Sequence, residues 1–210
     1  VGLNEAVVSC TGKPISSENI SFAQAILKEL SSHLNSISEE RGVRLRVSQR
    51  PSNGASSRLA ALDVEEYGQA TVSAQGSKGF LFYTDMPAIP LFEEVGLEER
   101  LEAEAKLQSF TPGGHFTNIC MSDSVAKSEK LLEITRKAFD LGVSFFAYSR
   151  NHSICQNCGN TSIGCMTRCS KCGSEDITIL ARLSSTYLPL FDWPEERRRF
   201  LDRRMRYDFS

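Results

Sequence analysis

The 210-residue chain has no stretch approaching the roughly 20 apolar residues of a membrane-spanning helix, so no such span is expected. It has no strong excess of charge either: 24 Lys and Arg stand against 26 Asp and Glu, a formal net charge of −2. That balance gives no global field to attract nucleic acid or an anionic membrane surface. No charged-then-apolar leader opens the sequence, and the expected setting is cytoplasmic. No short-period repeat or low-complexity tract occurs. An initiator methionine is missing too. The opening Val1-Gly2-Leu3-Asn4-Glu5-Ala6 reads as the interior of a longer polypeptide, so a fragment is expected rather than a trimmed leader.

Hydrophobic residues make up 40% of the chain and charged ones 24%, enough to bury a core in one domain or one domain plus a small module. Cysteine is abundant. Five of the seven cysteines fall between Cys155 and Cys172, and such clustering in a cytoplasmic chain points to metal rather than to disulfides.

Along the chain, Ile20, Ala23, Ile26, Leu27, Leu30, Leu34 and Ile37 recur at helical spacing, which predicts a helix within 16–41, capped by Ser16 or Ser17 and ended by Gly42. Alternation of Val43, Leu45 and Val47 with polar residues predicts a strand. Arg50-Pro51-Ser52-Asn53-Gly54 is turn chemistry. A short helix is expected over 56–67 and a strand over 80–84, with Pro87 and Pro90 breaking the chain after it. Further helices are expected over 92–107 and 124–141, and strands over 115–121, 143–148 and 177–183. Alternation of this kind indicates an α/β architecture. After Pro194 a basic helix is expected, reaching Arg206. Its mixed charges favour intrachain pairing over a nucleic-acid patch.

Cys155-Gln156-Asn157-Cys158-Gly159 and Cys169-Ser170-Lys171-Cys172-Gly173 form the strongest local signal. A two-residue spacer lets both thiolates of a knuckle reach one ion, and the glycine that follows permits the tight turn. Two knuckles supply the tetrahedral sulfur set that zinc prefers, so Cys155, Cys158, Cys169 and Cys172 are the expected ligands. Cys165 and His152 are nearby substitutes. Four thiolates leave no open coordination position, which makes the site a clamp rather than a catalyst.

With this ribbon placed, the sequence resembles the C-terminal part of the anaerobic ribonucleoside-triphosphate reductases, a glycyl-radical family. The resemblance is carried by Asn151 to Gly173, Ile177 to Arg182, Tyr187-Leu188-Pro189, Trp193 and the Arg-rich end at Tyr207. Earlier, Val1 to Ala6, Pro51 with Arg58-Leu59-Ala60 and Asp63, Tyr67-Gly68, Tyr83-Thr84 and Gly113-Gly114 fall in family order. It implies the C-terminal portion of a ten-stranded α/β barrel over 1–150, a zinc ribbon over 151–176, and a strand, radical-loop region and basic helix over 177–210. It further implies reduction of a ribonucleoside triphosphate, a thioredoxin-like or formate reductant, and a radical-SAM activase that installs the glycyl radical.

Two departures stand out. Keeping Arg182 and Pro189 in register puts Ser185 where the family has its radical glycine, and aligning Tyr187 puts Thr186 there. A side chain at that α-carbon hinders the planarity the radical needs, so the chain is expected not to store one. After Pro51 stand Ser52, Asn53 and Gly54, where thioredoxin-type relatives have a glutamate. Cys10 and Cys120 read as plain core. His115 is the better polar-site candidate, although a structural role is commoner, and His33 is expected on a solvated helix face. A half-barrel would leave sheet edges uncovered, so the missing half or a second copy is an expected partner. The alternative reading is a non-catalytic zinc-ribbon scaffold descended from the family. A weaker one is a stand-alone ribbon acting on nucleic acid.

Overall fold

A computed structural model describes residues 1–210 except 53, 78 and 87, so Asn53 in the expected turn and Pro87 in the expected chain break lie outside the described residues. Among the described residues, no helix is long and apolar enough to cross a membrane.

Helix α1 (Leu3–Thr11) and helix α2 (Ile20–Arg41) lead the chain. Ile20, Ala23 and Leu27 fall on one helical stripe and are buried against Val7 of α1 and Ala103 and Leu107 of α4 (Leu97–Gln108). Burying each large aliphatic side chain of this cluster stabilises the fold by about 1.5–3 kcal/mol. Helix α2 starts at Ile20, the first residue of its apolar pattern, but with a different cap from the one expected. Asn19 occupies the N-cap, and its Oδ1 accepts the Ser16 amide at 2.8 Å, so neither Ser16 nor Ser17 caps the helix. The helix does end at Gly42. Cys10 is exposed, contrary to expectation, because residues 9–13 all lie on the surface.

The strand expected over 43–47 is also absent. Val43 and Leu45 are exposed; their amides bond Ser38 at the end of α2, at 3.2 and 3.1 Å, and at the far end Gly113 N–H donates to Val47 O and Gln49 N–H to Gly114 O, each at 2.8 Å. Alternation prepares a face, but a strand also needs a ladder partner. Gly113 is required here, since a Cβ would sit 2.7 Å from Val47 O.

Helix α3 (Ala55–Tyr67) follows the Pro51 turn and packs on a short antiparallel hairpin, β1 (Gln75–Ser77) with β2 (Phe80–Phe82). Helix α4 begins at Leu97 rather than near Phe92. Buried Arg100 binds the carbonyls of Ile89, Pro90 and Glu93, which holds 89–93 in a non-helical path.

Strand β3 (Thr117–Cys120), helix α5 (Ser128–Asp140) and strand β4 (Phe146–Ser149) form a β–α–β unit with a parallel pair in register from Thr117↔Phe146 to Cys120↔Ser149. The C-terminal tail runs along the other edge of β3. Tyr207 N–H donates to Cys120 O, Ser122 N–H to Tyr207 O, and Lys127 N–H to Phe209 O. Tyr207 and Phe209 join Leu101, Ile119, Ala138 and Val143 in the second core cluster.

Strands β5 (His152–Cys155), β6 (Thr161–Ile163), β7 (Ile177–Leu183) and β8 (Thr186–Pro189) make an antiparallel sheet in the order β6-β5-β7-β8. The basic helix expected to reach Arg206 is cut to α6 (Glu195–Arg198), and turns with i→i−3 bonds replace it through Arg204. The arginines are drawn onto aromatic faces instead. Arg197 lies over Phe82 at 4.0 Å, Arg199 over Phe80 at 3.8 Å and Arg204 over Trp193 at 4.8 Å. With Arg199 also paired to Glu195, this is a charged face satisfied within the chain.

Candidate functional site

Cys155 ends β5, Cys158 lies in the turn after it, and Cys169 and Cys172 flank a second turn. Their four sulfurs lie within 4.8 Å of one another. Cys155 and Cys172 are 3.6 Å apart, as are Cys158 and Cys169. A regular tetrahedron with metal–sulfur bonds of about 2.3 Å has edges of about 3.8 Å, so the spacing suits one tetrahedral ion. Each knuckle closes as its sequence suggests. Gly159 N–H donates to Cys155 O and Gly173 N–H to Cys169 O, with both glycines left-handed at φ 70° and 74°.

The knuckle amides prepare the thiols for a cation. The Ser174 amide and then the Asn157 side chain hold Cys172 down to about 6. The amides of Cys172 and Lys171 lower Cys169. At Cys158 the Asn160 amide pulls down, but desolvation and the three neighbouring thiols outweigh it and push the group up to about 12. That unequal sharing of protons is what a metal ion removes, since every ligand must be deprotonated. Cys165 lies outside the cluster, accepting from Asn151 Nδ2 at 3.2 Å, and His152 packs its ring 5.9 Å from that of Tyr187.

The ribbon is continuous with the hairpin β7–β8. Leu183 pairs with Thr186, so the turn consists of Ser184 and Ser185. Thr186 belongs to the strand, and Ser185 to the tip. Ser184 has φ 52°, the only described non-glycine residue with positive φ. A two-residue hairpin with positive φ at its first turn position favours glycine there. The backbone therefore asks for glycine at 184, one residue before the position the Arg182–Pro189 register indicates. Ser184→Gly is expected to stabilise the chain by about 0.5–1 kcal/mol, read as a higher urea midpoint with an unchanged slope.

Arg182 supports the hairpin from within. Its Nη1 donates to Ser185 O at 2.7 Å and its guanidinium stacks 4.7 Å from the ring of Tyr187, its cross-strand partner. Tyr187 Oη accepts from the Arg150 amide at 3.0 Å. The tip faces the turn after Arg50: Ser185, Thr186, Arg50 and Pro51 line one open cleft of about 660 Å³. On its other side Ser184 lines a cavity of about 40 Å³ with Asp85, Arg197 and Arg204.

Asp85 carries no signal in the sequence, yet it organises this neighbourhood. It is buried, accepts from Ser52 N–H at 3.1 Å and Ser52 Oγ at 2.9 Å, and pairs with Arg197 Nη2 at 3.2 Å. Arg197 also donates to Ser56 Oγ at 2.6 Å. Ser52 Oγ in turn accepts the Ser56 amide, so the residue after Pro51 anchors helix α3. A lone aspartate after a short apolar strand gives no pattern; only its tertiary partners mark it.

His115 is buried, with Nε2 against the Glu104 carboxylate and Nδ1 3.2 Å from Thr111 Oγ1. Glu104 also accepts the Ile89 amide at 2.9 Å. His115 thus has a structural set of partners, while also lining an apolar pocket of about 400 Å³ between α1 and α2 that includes Ile26, Leu30 and Val47. In the opening block, Glu5 accepts from Thr84 N–H at 3.1 Å, Thr84 Oγ1 at 2.6 Å and Gln75 Nε2 at 3.0 Å, tying α1 to the β1–β2 hairpin. Cys120 is buried, as expected of a core thiol, and His33 is exposed.

The fold is that of known reductases. An anaerobic ribonucleotide reductase superposes with TM-score 0.77 at 23% identity, covering 91% of this chain and 29% of that one. The Thermotoga maritima anaerobic ribonucleotide reductase with glycerol in its active site gives 0.76 at 20%, covering 94% and 31%. The same enzyme in complex with dATP and CTP gives 0.72 at 22%, covering 89% and 29%. The chain therefore spans under a third of the length of these structures. No curated protein gives a significant match. The family described as anaerobic ribonucleoside-triphosphate reductase matches residues 1–207, nearly the whole sequence. The chain belongs to the anaerobic ribonucleoside-triphosphate reductase family.

Proposed function

We propose that this chain is the C-terminal portion, or a degenerate paralogue of that portion, of an anaerobic ribonucleoside-triphosphate reductase, and that it binds zinc but stores no glycyl radical. Zinc is the ion assigned to Cys155, Cys158, Cys169 and Cys172, because an all-thiolate set with paired two-residue spacers is the donor chemistry of closed structural zinc sites. Its role is to hold the ribbon, and through β5 and β7 the hairpin, in one sheet.

The observation that carries the reading is the hairpin tip. Ser184 and Ser185 fill a turn directed at the cleft beside Pro51, and none of Ser184, Ser185 and Thr186 is glycine. The side of the cleft formed by Pro51 also lacks a glutamate, with Ser52 engaged by Asp85. These features favour a non-catalytic scaffold role for this chain itself. By kinship, the molecules it serves are a ribonucleoside triphosphate, a radical-SAM activase and the remaining part of a ten-stranded barrel or a second copy. The setting is cytoplasmic, and nucleic acid is not among the partners.

The test is spectroscopic. After incubation with a cognate activase, S-adenosylmethionine and reductant, the purified chain is expected to show no glycyl doublet by electron paramagnetic resonance. A doublet at stoichiometric intensity overturns the reading.

A further inference from the structure

Beside the C-terminal end of β3, four arginines converge on one small cavity. Arg150 follows β4, Arg182 lies in β7, and Arg204 and Arg206 come from the tail; Cys120, Met121, Ser149, Asn151 and Leu201 complete the wall. The space is about 10 Å³ for the centre of a water-sized sphere, room for about one small occupant. No carboxylate lines it. Asp123 and Asp202 approach only Arg206, at 3.7 and 3.9 Å. Among the described residues no carboxylate lies within 4.0 Å of the guanidinium groups of Arg150, Arg182 or Arg204.

What these three groups do bind is neutral. Arg150 Nη2 donates to Ser124 O, Arg182 Nη1 to Ser185 O and Arg204 Nη1 to Arg182 O, each at 2.7 Å. Arg182 also stacks against Phe116 and Tyr187, and Arg204 against Trp193. After those bonds, Nε of Arg150 and Nε of Arg182 remain buried with no hydrogen-bond partner. Orphaned buried donors on charged groups are unfavourable, and like charges brought together in a half-buried site repel more than they would in open water. Burial lowers the pKa of Arg204; proximity to Cys120 and to the Asp85 carboxylate opposes that, while Arg197 and Arg206 add to it.

We propose that this cavity binds a single halide-sized anion, held by the guanidinium groups of Arg150, Arg182 and Arg204. A water would satisfy the orphan donors but leave the charges of Arg150 and Arg182 without a counter-ion within 4.0 Å among the described residues. Phosphate and sulfate exceed the space. The three segments that contribute charge are the end of the parallel pair, the hairpin whose tip is Ser184–Ser185, and the C-terminal tail. An anion between them converts mutual repulsion into a clamp that docks hairpin and tail onto the α/β part.

Thermal unfolding of the full chain in sodium chloride or sodium bromide, against sodium gluconate at equal ionic strength, tests this. A saturable rise in Tm of about 5 °C is expected with either halide and none with gluconate. Arg150→Met is expected to weaken the half-saturating halide concentration at least tenfold. Crystals grown in bromide are expected to show an anomalous peak in this cavity, a readout that does not depend on the variant folding. Equal Tm in halide and gluconate, full halide dependence in Arg150→Met, or a cavity without bromide would each overturn the proposal.

Discussion

Removing the bound metal with a strong chelator is expected to unfold residues 151–176 and release the β7–β8 hairpin, while the α/β part keeps its secondary structure. The ribbon has little else to hold it. Of its residues from Gln156 to Ser174, only Gly164 and Cys169 are buried, and the first two core clusters lie outside it. Structural zinc sites supply about 10–16 kcal/mol of apparent binding free energy at neutral pH, far more than this polar segment can gain by packing. Hydrogen exchange of the β5–β7 amides provides the readout: protection in the loaded chain, near-complete loss after chelation. Metal analysis is expected to find about one zinc per chain. Cys158→Ser or Cys172→Ser is expected to abolish stoichiometric binding, whereas Cys165→Ser, outside the cluster, is expected to retain it. Unchanged protection after complete metal removal would show that the sheet folds without the ion.

Replacing Arg100 is expected to be the most damaging single change in the α/β part. Arg100 is 1% exposed and has no carboxylate partner among the described residues. Its charge is instead solvated by the chain: Nη1 donates to Ile89 O at 2.9 Å, Nη2 to Pro90 O at 3.1 Å and Glu93 O at 3.2 Å, and Nε to Tyr207 Oη at 2.8 Å. Arg100→Leu fills much of the volume but leaves these acceptors buried and unpaired. A loss of about 3–5 kcal/mol is expected, since breaking a buried charged network costs that order. Tyr207→Phe removes one acceptor and one bond to Val95 O, and is expected to cost about 1–2 kcal/mol. Because both side chains share a bond, the double variant should lose less than the sum of the singles in urea denaturation. Additive losses would show that the tail docks without Arg100.

What could be read from the residues alone follows from local physics. Cys-x-x-Cys-Gly closes the same knuckle at both places in this chain, because the amides that turn toward sulfur and the left-handed glycine are set within about six residues of the first cysteine. The stripe of Ile20, Ala23 and Leu27 marks a buried helix face by its 3.6-residue period. Strand β7 was legible to its ends because Ile177 and Leu183 are bounded by polar turns. The radical-loop residues could be aligned only to within one position, since serine, serine and threonine carry no geometric label of their own.

Other features belonged to the tertiary structure. Residues 43–47 alternate like a strand but find no full ladder, and strand formation is decided by the partner. The tail reads as one helix, yet it breaks after Arg198, where stacking on aromatic rings outweighs helix propensity. Asp85, Arg100 and the arginine-lined cavity leave no trace in spacing, because their partners lie tens of residues away. Sequence by itself determined the metal knuckles, the helix faces and the family. Tertiary structure alone decided which buried charges are paired and which backbone position wants glycine, because electrostatic compensation and turn conformation depend on what the fold brings together.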